Sequence, residues 1–402
     1  MFRPAEKPQP RANAEAVAGN ARAAHHGSYF PDGPILYSTT PCTGRQLPSP
    51  PCSGSVLTSP RNWRHPSGLL TKILSYTAAQ HAMASPGKTR LAATLCAFAL
   101  VFFLFVQPAA ATGNQAKIKV LIVDGFSNHD WRQTTALLRG ILEPSDLFTV
   151  SVSTAPPTAA SPGWEQWRPK FSDYDVVIQT CNDIGGGPSW PREVQIAFEK
   201  FVQNGGGALV FHSGNNAFPD WAAYNRMIGL GWRKKQQGDA LVIKLRESDK
   251  REEIVRIPAG EGEDTGHDGR SDVVVHRLGD DPIHHGMPRA WKTPTLEIYY
   301  YARGPAKDIR VLSYGYDKHT GMNWPLEWTV RFGRGRIYSS TFGHVWKGDV
   351  QPPSLRCAGE QTLLVRTLQW LAKRPVTVSV PPDFPTEGAT SIRPEIRILA
   401  QR

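Results

Sequence analysis

The sequence predicts an α/β fold built on a mostly parallel sheet with an antiparallel extension. From Lys117 onward, short apolar runs alternate with segments that carry apolar residues at helical spacing. Several runs end abruptly in polar residues, as the glycine-led run before His212 does. Strands separated by helices of this length imply a parallel sheet with right-handed crossovers. Ligands bind beyond the carboxyl ends of the strands in such sheets, so His212 and Asn215 are candidate site residues.

The first half of the body follows this alternation element by element. Asp130 is predicted to cap a helix with apolar positions at Leu137 and Leu138. Pro191 marks the first turn of a second helix, which the turn Gly205–Gly207 ends. Buried strands are predicted at Val120–Val123, Phe148–Val152, Tyr174–Ile178 and Ala208–Phe211.

The pattern changes after Trp232. Residues 233–275 are rich in charge and carry only short alternating segments, such as Ala240–Leu245 and Ser271–Val275, which favours an antiparallel extension at one edge over a second core. Later strands are predicted at Glu297–Tyr301, Arg310–Leu312, Glu327–Val330 and Arg336–Thr341, followed by a helix over Leu355–Leu371. The Pro-rich tail, residues 373–402, is predicted to be mostly extended.

The first 111 residues carry the pattern of an export signal. Residues 1–82 are rich in Pro, Arg, Ala and Ser, which predicts disorder or an over-extended start. A basic segment from Met83, an apolar run over Leu91–Val106 and an A-x-A site are the three parts of a signal peptide, residues 83–111. The run is shorter than the roughly 20 residues of a spanning helix, although a type II membrane anchor stays open as an alternative. We therefore expect initiation at Met83, export to the periplasm or beyond, and one domain over residues 112–372.

The net charge of +11 is concentrated in that N-terminal part. Residues 1–82 hold eight Lys and Arg against three acids, and Lys88 and Arg90 add two more charges, which leaves about +4 for residues 112–402. No basic stripe interleaved with aromatic residues appears in the body, so a nucleic-acid partner is not expected. Cys181 and Cys357 could pair in an exported protein, but buried free thiols are the expected state.

Polar clusters follow several of the predicted strands. Imidazole and amide groups beside tryptophan predict a concave polar site with aromatic walls, which suits a small polyhydroxylated ligand such as a sugar. The interpretation of each residue alone stays open: a single His at a strand end is often structural, the tryptophans could be core or rim residues, and Ser213 could cap a helix. The clusters contain Asn128, His129, Trp131, Asn182, His212, Asn215, His344 and Trp346.

Four segments in order resemble the ThuA-like (trehalose utilisation) family over roughly residues 117–372. They are Val120–Leu142, the run Gly205–Gly214, Asp281–Pro288 and Trp328–His344. The resemblance implies a flavodoxin-like, class I glutamine amidotransferase-like three-layer fold and a role in breaking down trehalose-type glycosides through 3-keto sugars. It also matches His129, His212 and His344 to the family's strand-end histidines, and Glu297 to an acidic residue before an aromatic strand.

The chain departs from the family pattern in one segment. Asp280-Asp281-Pro282-Ile283 stands where the family often has Asp-His-Pro-Ile, so any role of that histidine is lost or has moved to His284 or His285. Related amidotransferases carry a nucleophilic Cys where this chain has His212, and no Cys lies near it, so glutaminase chemistry is not expected.

Two classes of function follow. In the first, the protein is an enzyme in which His212 or His129 is a general base and Glu297 an acid or hydroxyl ligand. Substrate would be bound by Asn215, Asn182, Trp131, Trp346 and His344. A variant places a divalent metal ion between His129, His212 and His344. In the second class, the same crevice binds carbohydrate without catalysis. Ser213 as nucleophile is disfavoured because the G-x-S-x-G elbow is absent.

Overall fold

Twelve strands form one mixed sheet in residues 116–398, the part of the chain that the computed structural model describes. The strands are β1 Ile118–Asp124, β2 Phe148–Thr154, β3 Val176–Gln179, β4 Gly207–Val210, β5 Asp239–Leu245, β6 Glu252–Ile257, β7 Arg270–Arg277, β8 Ala290–Glu297, β9 Arg303–Gly304, β10 Ile309–Asp317, β11 Met322–Phe332 and β12 Gly335–Ser340. The helices are α1 Trp131–Leu142, α2 Arg192–Gln203, α3 Ala222–Ile228, α4 Pro353–Arg356 and α5 Ala358–Leu371. The main strand order is β2-β1-β3-β4-β12-β11-β10-β7-β8, and β5 pairs with β11, β6 and β9.

Strands β2, β1, β3, β4 and β12 form the parallel part of the sheet. Strand β1 is buried on both faces, as its apolar run predicts. Val120 and Ile122 belong to an apolar cluster with residues of α1 and α5, whereas Leu121 and Val123 belong to a second cluster with residues of α2 and α3. Helices therefore cover both faces of the parallel part, and the strand ends remain open at its edge.

The other strands pair antiparallel, so the prediction of a mostly parallel sheet is wrong. Residues 318–321 join β10 to β11, and residues 333–334 join β11 to β12. A parallel crossover needs a dozen or more residues, so these short connections permit only antiparallel pairing. The extension predicted over residues 233–275 is present as β5 to β7, with β5 and β7 covering its two alternating segments, and it continues through β8 to β10.

Two predicted elements end early or are interrupted in the structure, whereas β10 and β11 are longer than the predicted Arg310–Leu312 and Glu327–Val330. The strand predicted over Glu297–Tyr301 is wrong: β8 ends at Glu297, because its partner β7 begins at Arg270 directly opposite. The following residues leave the sheet, and Tyr301 has a left-handed φ of 50°. The predicted last helix is interrupted at Cys357, which forms an isolated bridge with Ile392 of the tail. The Asp130 cap is confirmed, since its Oδ1 accepts from Gln133 N at 3.0 Å.

Several predictions concern residues 1–115 and 399–402, which lie outside the described residues. These are the disordered or over-extended N-terminus, the signal peptide over residues 83–111 and the membrane-anchor alternative. Among residues 116–398, no helix is long and apolar enough to cross a membrane. Within the same range Cys181 and Cys357 are buried free thiols, and burial raises the pKa of both.

Candidate functional site

Three histidines from separate strand ends meet at one edge of the sheet. His129 lies between β1 and α1, His212 follows β4, and His344 follows β12. The ring centroids are 4.8 to 5.0 Å apart in all three pairs. One ring nitrogen from each residue lies within 4.8 Å of the others. Because β1, β3, β4 and β12 are neighbours, their carboxyl ends bring residues far apart in sequence to one place.

His212 has a strained backbone conformation and a fixed ring orientation. Its φ is 40°, a left-handed value that non-glycine residues seldom adopt, at the start of the 3₁₀ turn His212–Asn216. Its Nδ1 lies 2.8 Å from the backbone oxygen of Thr341. A carbonyl can only accept, so Nδ1 carries the proton and Nε2 keeps its lone pair. Burial, with the neighbouring His129 and His344, lowers the pKa of His212 well below its usual range, so the ring is neutral.

His129 is oriented by a chain of two asparagines. Its Nδ1 lies 2.8 Å from Asn128 Oδ1, which also accepts from Asn182 Nδ2 at 2.7 Å. Nδ1 therefore donates, and Nε2 of His129 is left buried with no hydrogen-bond partner. Burial lowers the pKa of His129 to about 3. Asn182, predicted to bind substrate, lies behind Asn128 and orients the histidine.

His344 and Glu297 complete the cluster. Glu297 Oε1 lies 3.2 Å from His344 Nε2, and Oε2 lies 3.6 Å from His212 Nε2. On the other side of its ring, His344 Nδ1 faces the carboxylate of Asp349 at 3.9 Å. Burial, and then the charge of Arg270, lowers the pKa of His344 to about 4. Burial raises the pKa of Glu297 to about 7, so this carboxyl sits where a proton can be gained or lost near neutrality.

The cluster opens into a cavity of about 460 Å³. His129, His344 and Glu297 lie in its wall, and Trp346, which is 42% exposed, stacks on His344 with an interplanar angle of 16°. Its remaining lining residues are Asn128, Ile184, Asn216, Trp232, His267, Gly269, Arg270 and Tyr299. Imidazole, carboxyl and amide groups between aromatic faces are suited to a small hydroxylated ligand.

Three residues predicted to bind substrate do not line this cavity: Asn182, which lies behind Asn128, and Asn215 and Trp131. Asn215 is fully buried and donates from Nδ2 to the backbone oxygen of Ser340 at 2.8 Å. The 3₁₀ turn rotates successive side chains by about 120°, so the next residue, Asn216, faces the cavity instead. Trp131 lies outside, under the guanidinium of Arg132 at 4.1 Å from its ring centroid. Ser213 caps no helix, and its Oγ lies 3.4 Å from Ser127 Oγ.

Several lining residues were missed by the sequence analysis because they belong to the extension. His267 lies in the loop before β7, and its Nδ1 is 3.7 Å from Glu297 Oε1. Tyr299 follows β8, and its hydroxyl is 3.2 Å from His212 Nε2. The His267-Asp268-Gly269 loop and the aromatic run at Tyr299–Tyr301 were the available signals, but no periodicity tells which loops return to the parallel part.

His284 lies in the interior in a separate cluster. Its Nδ1 is 2.7 Å from Asp281 Oδ2, and its Nε2 is 3.2 Å from Glu327 Oε2. Burial alone would lower the pKa of His284, but the charge of Glu327 and the bonds to both carboxylates outweigh it and raise the pKa to about 9. His284 therefore carries a charge in the core and is not part of the cavity wall, and the neighbouring His285 is exposed.

Known proteins resemble this chain over its described part. The profile of the ThuA family, described as trehalose utilisation, matches residues 119–370. A ThuA-like protein from Parabacteroides merdae is 32% identical, covering 69% of this chain and 98% of its own, with a TM-score of 0.62. A β-galactosidase from Rahnella sp. is 11% identical, covering 67% of this chain and 33% of its own, and its TM-score of 0.35 is too low to support an argument. No curated protein matches.

Proposed function

This chain belongs to the ThuA family, and on that premise we propose that it is an enzyme of carbohydrate breakdown acting on trehalose-type glycosides or their 3-keto derivatives. The observation that carries the proposal is the position of Glu297. Its buried carboxyl lies in the wall of a cavity with aromatic faces, within 3.6 Å of two histidines. A proton-transferring group beside surfaces that stack on sugar rings is the arrangement such a reaction needs.

If the substrate is a 3-keto sugar, a single carboxylate is enough to cleave the glycosidic bond. The ketone at C3 acidifies the hydrogen on C2, so Glu297 can remove that proton. The electron pair of the C2–H bond forms the C1–C2 double bond as the C1–O glycosidic bond breaks. The proton taken from C2 is returned to the departing oxygen, which leaves as the hydroxyl of the released sugar. Nothing is oxidised or reduced, and later addition of water to the double bond completes a net hydrolysis.

Glu297→Gln tests this role, because the amide keeps the shape of the carboxyl but cannot accept the C2 proton. We expect release of glucose from 3-keto-trehalose to slow by at least about 100-fold, the scale of lost general base catalysis. Glu387→Gln, an exposed change of the same chemistry, is the matched control and should leave the rate unchanged. Equal rates in the Glu297 variant and the wild type would reject the assignment.

The alternative is a carbohydrate-binding accessory protein, and the exposed ring of Trp346 beside the cavity favours it. Calorimetry with trehalose and 3-keto-trehalose, run beside the turnover assay, separates the two functions. Binding of either sugar without turnover of either would support the accessory role and overturn the enzymatic one.

Two further expectations belong with this function. We propose that the protein is exported through the segment beginning at Met83, and an intact mass that begins upstream of residue 83 in the native protein would contradict this. We also propose that the parallel strands, in the order β2-β1-β3-β4 with helices on both faces, belong to a flavodoxin-like, glutamine amidotransferase-like three-layer fold.

A further inference from the structure

We infer that His129, His212 and His344 together bind one divalent transition-metal ion, with Glu297 beside its open coordination position. The inference deepens the proposed function, and its catalytic consequence rests on that function. The binding itself rests on the geometry of the described residues and can be measured without any sugar.

The first support is the placement of the ring nitrogens. One nitrogen from each histidine lies within 4.8 Å of the others. A zinc ion bound at about 2.1 Å by each of three imidazoles would hold those nitrogens about 3.4 Å apart. Closing the triangle by roughly an ångström takes only small rotations of three side chains whose backbone is already in place. The loops that carry two of them are joined directly, because Asp130 N donates to Val345 O at 3.1 Å.

The second support is the hydrogen bonding behind the rings. His212 and His129 each donate Nδ1–H to a fixed oxygen, of Thr341 and Asn128 respectively. The Nδ1 of His344 faces the carboxylate of Asp349 on the side away from Glu297. A metal-binding histidine characteristically turns its other ring nitrogen to a carbonyl or carboxylate, which fixes the tautomer and the direction of the lone pair. His212 and His129 have that arrangement, whereas His344 Nδ1 lies 3.9 Å from Asp349 Oδ2, which is beyond hydrogen-bond distance.

The third support is an unpaired nitrogen on His129. His129 Nε2 is buried and has no hydrogen-bond partner, although buried polar atoms are seldom left unpaired. A cation bound to Nε2 would satisfy the unpaired atom and explain why three imidazoles are packed edge to face away from solvent.

The type of ligand atom limits which metal ions can bind at this site. Three imidazoles suit Zn²⁺ and similar first-row ions, whereas Ca²⁺ and Mg²⁺ prefer oxygen ligands throughout. Because His129 and His344 line the cavity, an ion held there would leave a position toward it, where it could polarise the oxygen of a ketone. Glu297 would then stand beside the acidified carbon, which identifies carbonyl-bearing sugars, and not simple glycosides, as the substrate class.

Metal content tests the inference directly. Protein stripped with a chelator and titrated with Zn²⁺ should take up one ion per chain by mass spectrometry of the elements. Titration with Co²⁺ should produce the intense visible absorption of a four- or five-coordinate site. His129→Ala, His344→Ala and His212→Asn should each weaken binding by at least 100-fold, while the exposed His285→Ala should bind as the wild type does. Asparagine is chosen at residue 212 because it tolerates a left-handed backbone.

The outcomes separate the two proposals. One ion per chain without turnover of 3-keto-trehalose upholds the metal site and rejects the proposed function. Full turnover by stripped protein that takes up no ion upholds the function and overturns the metal site. Uptake that survives all three histidine variants, with circular dichroism showing them folded, also overturns it.

Discussion

His212 combines an unfavourable backbone conformation with the least exposed position in the histidine triangle. A side chain at a φ of 40° costs on the order of 1 kcal/mol relative to glycine. The fixed bond to the carbonyl of Thr341 and the surrounding packing hold the residue there. Strain of this kind collects at functional sites, and it agrees with a role that needs the imidazole in one orientation.

Asn182 is a positioning residue, and its contribution can be measured. Asn182→Ala removes the amide that holds Asn128, and so loosens the Nδ1 bond of His129. We expect Zn²⁺ affinity to fall 10- to 100-fold, the usual range for the loss of such a partner. Competition titration against a chelator of known affinity provides the measurement.

A purely structural asparagine would give a different result. In that case thermal stability would fall while the affinity of the folded protein for Zn²⁺ stayed the same. Asn225→Ala, which removes a side chain of α3 whose amide donates to the backbone of Pro219 and Trp221 and accepts from Arg233, is the matched control for general loosening.

At the scale of the element, β12 and its following turn set the position of His344. Gly343 has a φ of 94°, and a Cβ there would lie 2.1 Å from the ring of Phe211. Gly343→Ala should therefore destabilise the fold by more than about 2 kcal/mol, since it adds both strain and overpacking. Urea unfolding monitored by tryptophan fluorescence checks this value.

Gly388→Ala is the control, because nothing lies within 4 Å of the added carbon and its backbone is not left-handed. Equal unfolding midpoints for the two variants would show that the turn after β12 yields more easily than the contact implies.

The elements that are marked by signals within a few residues of sequence could be predicted. The apolar run of β1, the Asp130 cap and the glycine stop before β4 are read within a few residues, and the structure confirms them. The histidines could be assigned to one edge because the carboxyl ends of parallel strands converge.

The extension could not be predicted in the same way. Whether Glu297 ends a strand depends on Arg270 opposite, and whether Asn215 or Asn216 faces the cavity depends on the phase of a 3₁₀ turn. Both are set by pairing between distant segments and not by periodicity. For the same reason, the sequence did not indicate that the cavity would be lined by His267, Arg270 and Tyr299.

At the scale of the whole molecule, the charged cluster around Glu327 ties the antiparallel strands together. Glu327 of β11 accepts from Ser313 of β10 and Tyr338 of β12, and it faces His284 at 3.2 Å. The carboxyls of Glu327 and Asp281 both lie against one buried imidazolium. The charge on His284 is therefore a term in the global stability of the protein.

The stabilisation from charged His284 depends on pH, and the sign of this dependence follows from the raised pKa of His284, about 9. The stabilisation is fully present below the unfolded value of about 6.5 and is lost as pH rises through 9. The loss should be on the order of 3 kcal/mol in the free energy of unfolding. Urea unfolding at intervals from pH 6 to 10 measures it.

His284→Gln keeps a hydrogen-bonding side chain but no charge, so its stability should lack this fall between pH 6.5 and 9. A wild type whose stability is flat over the same interval would show that the imidazole is neutral in the folded protein.

The cavity wall is built from two parts of the chain, one belonging to the parallel strands and one to the antiparallel strands. His129, His344 and Asn216 come from the loops of the parallel strands, whereas Trp232, His267, Arg270, Glu297 and Tyr299 come from residues 232–304. Glu297 and Tyr299 of the second part contact His344 and His212, so the histidine triangle and the wall that faces it are built together from both parts of the chain. A change within residues 232–304 would therefore alter the reactive centre together with the shape of the cavity that leads to it.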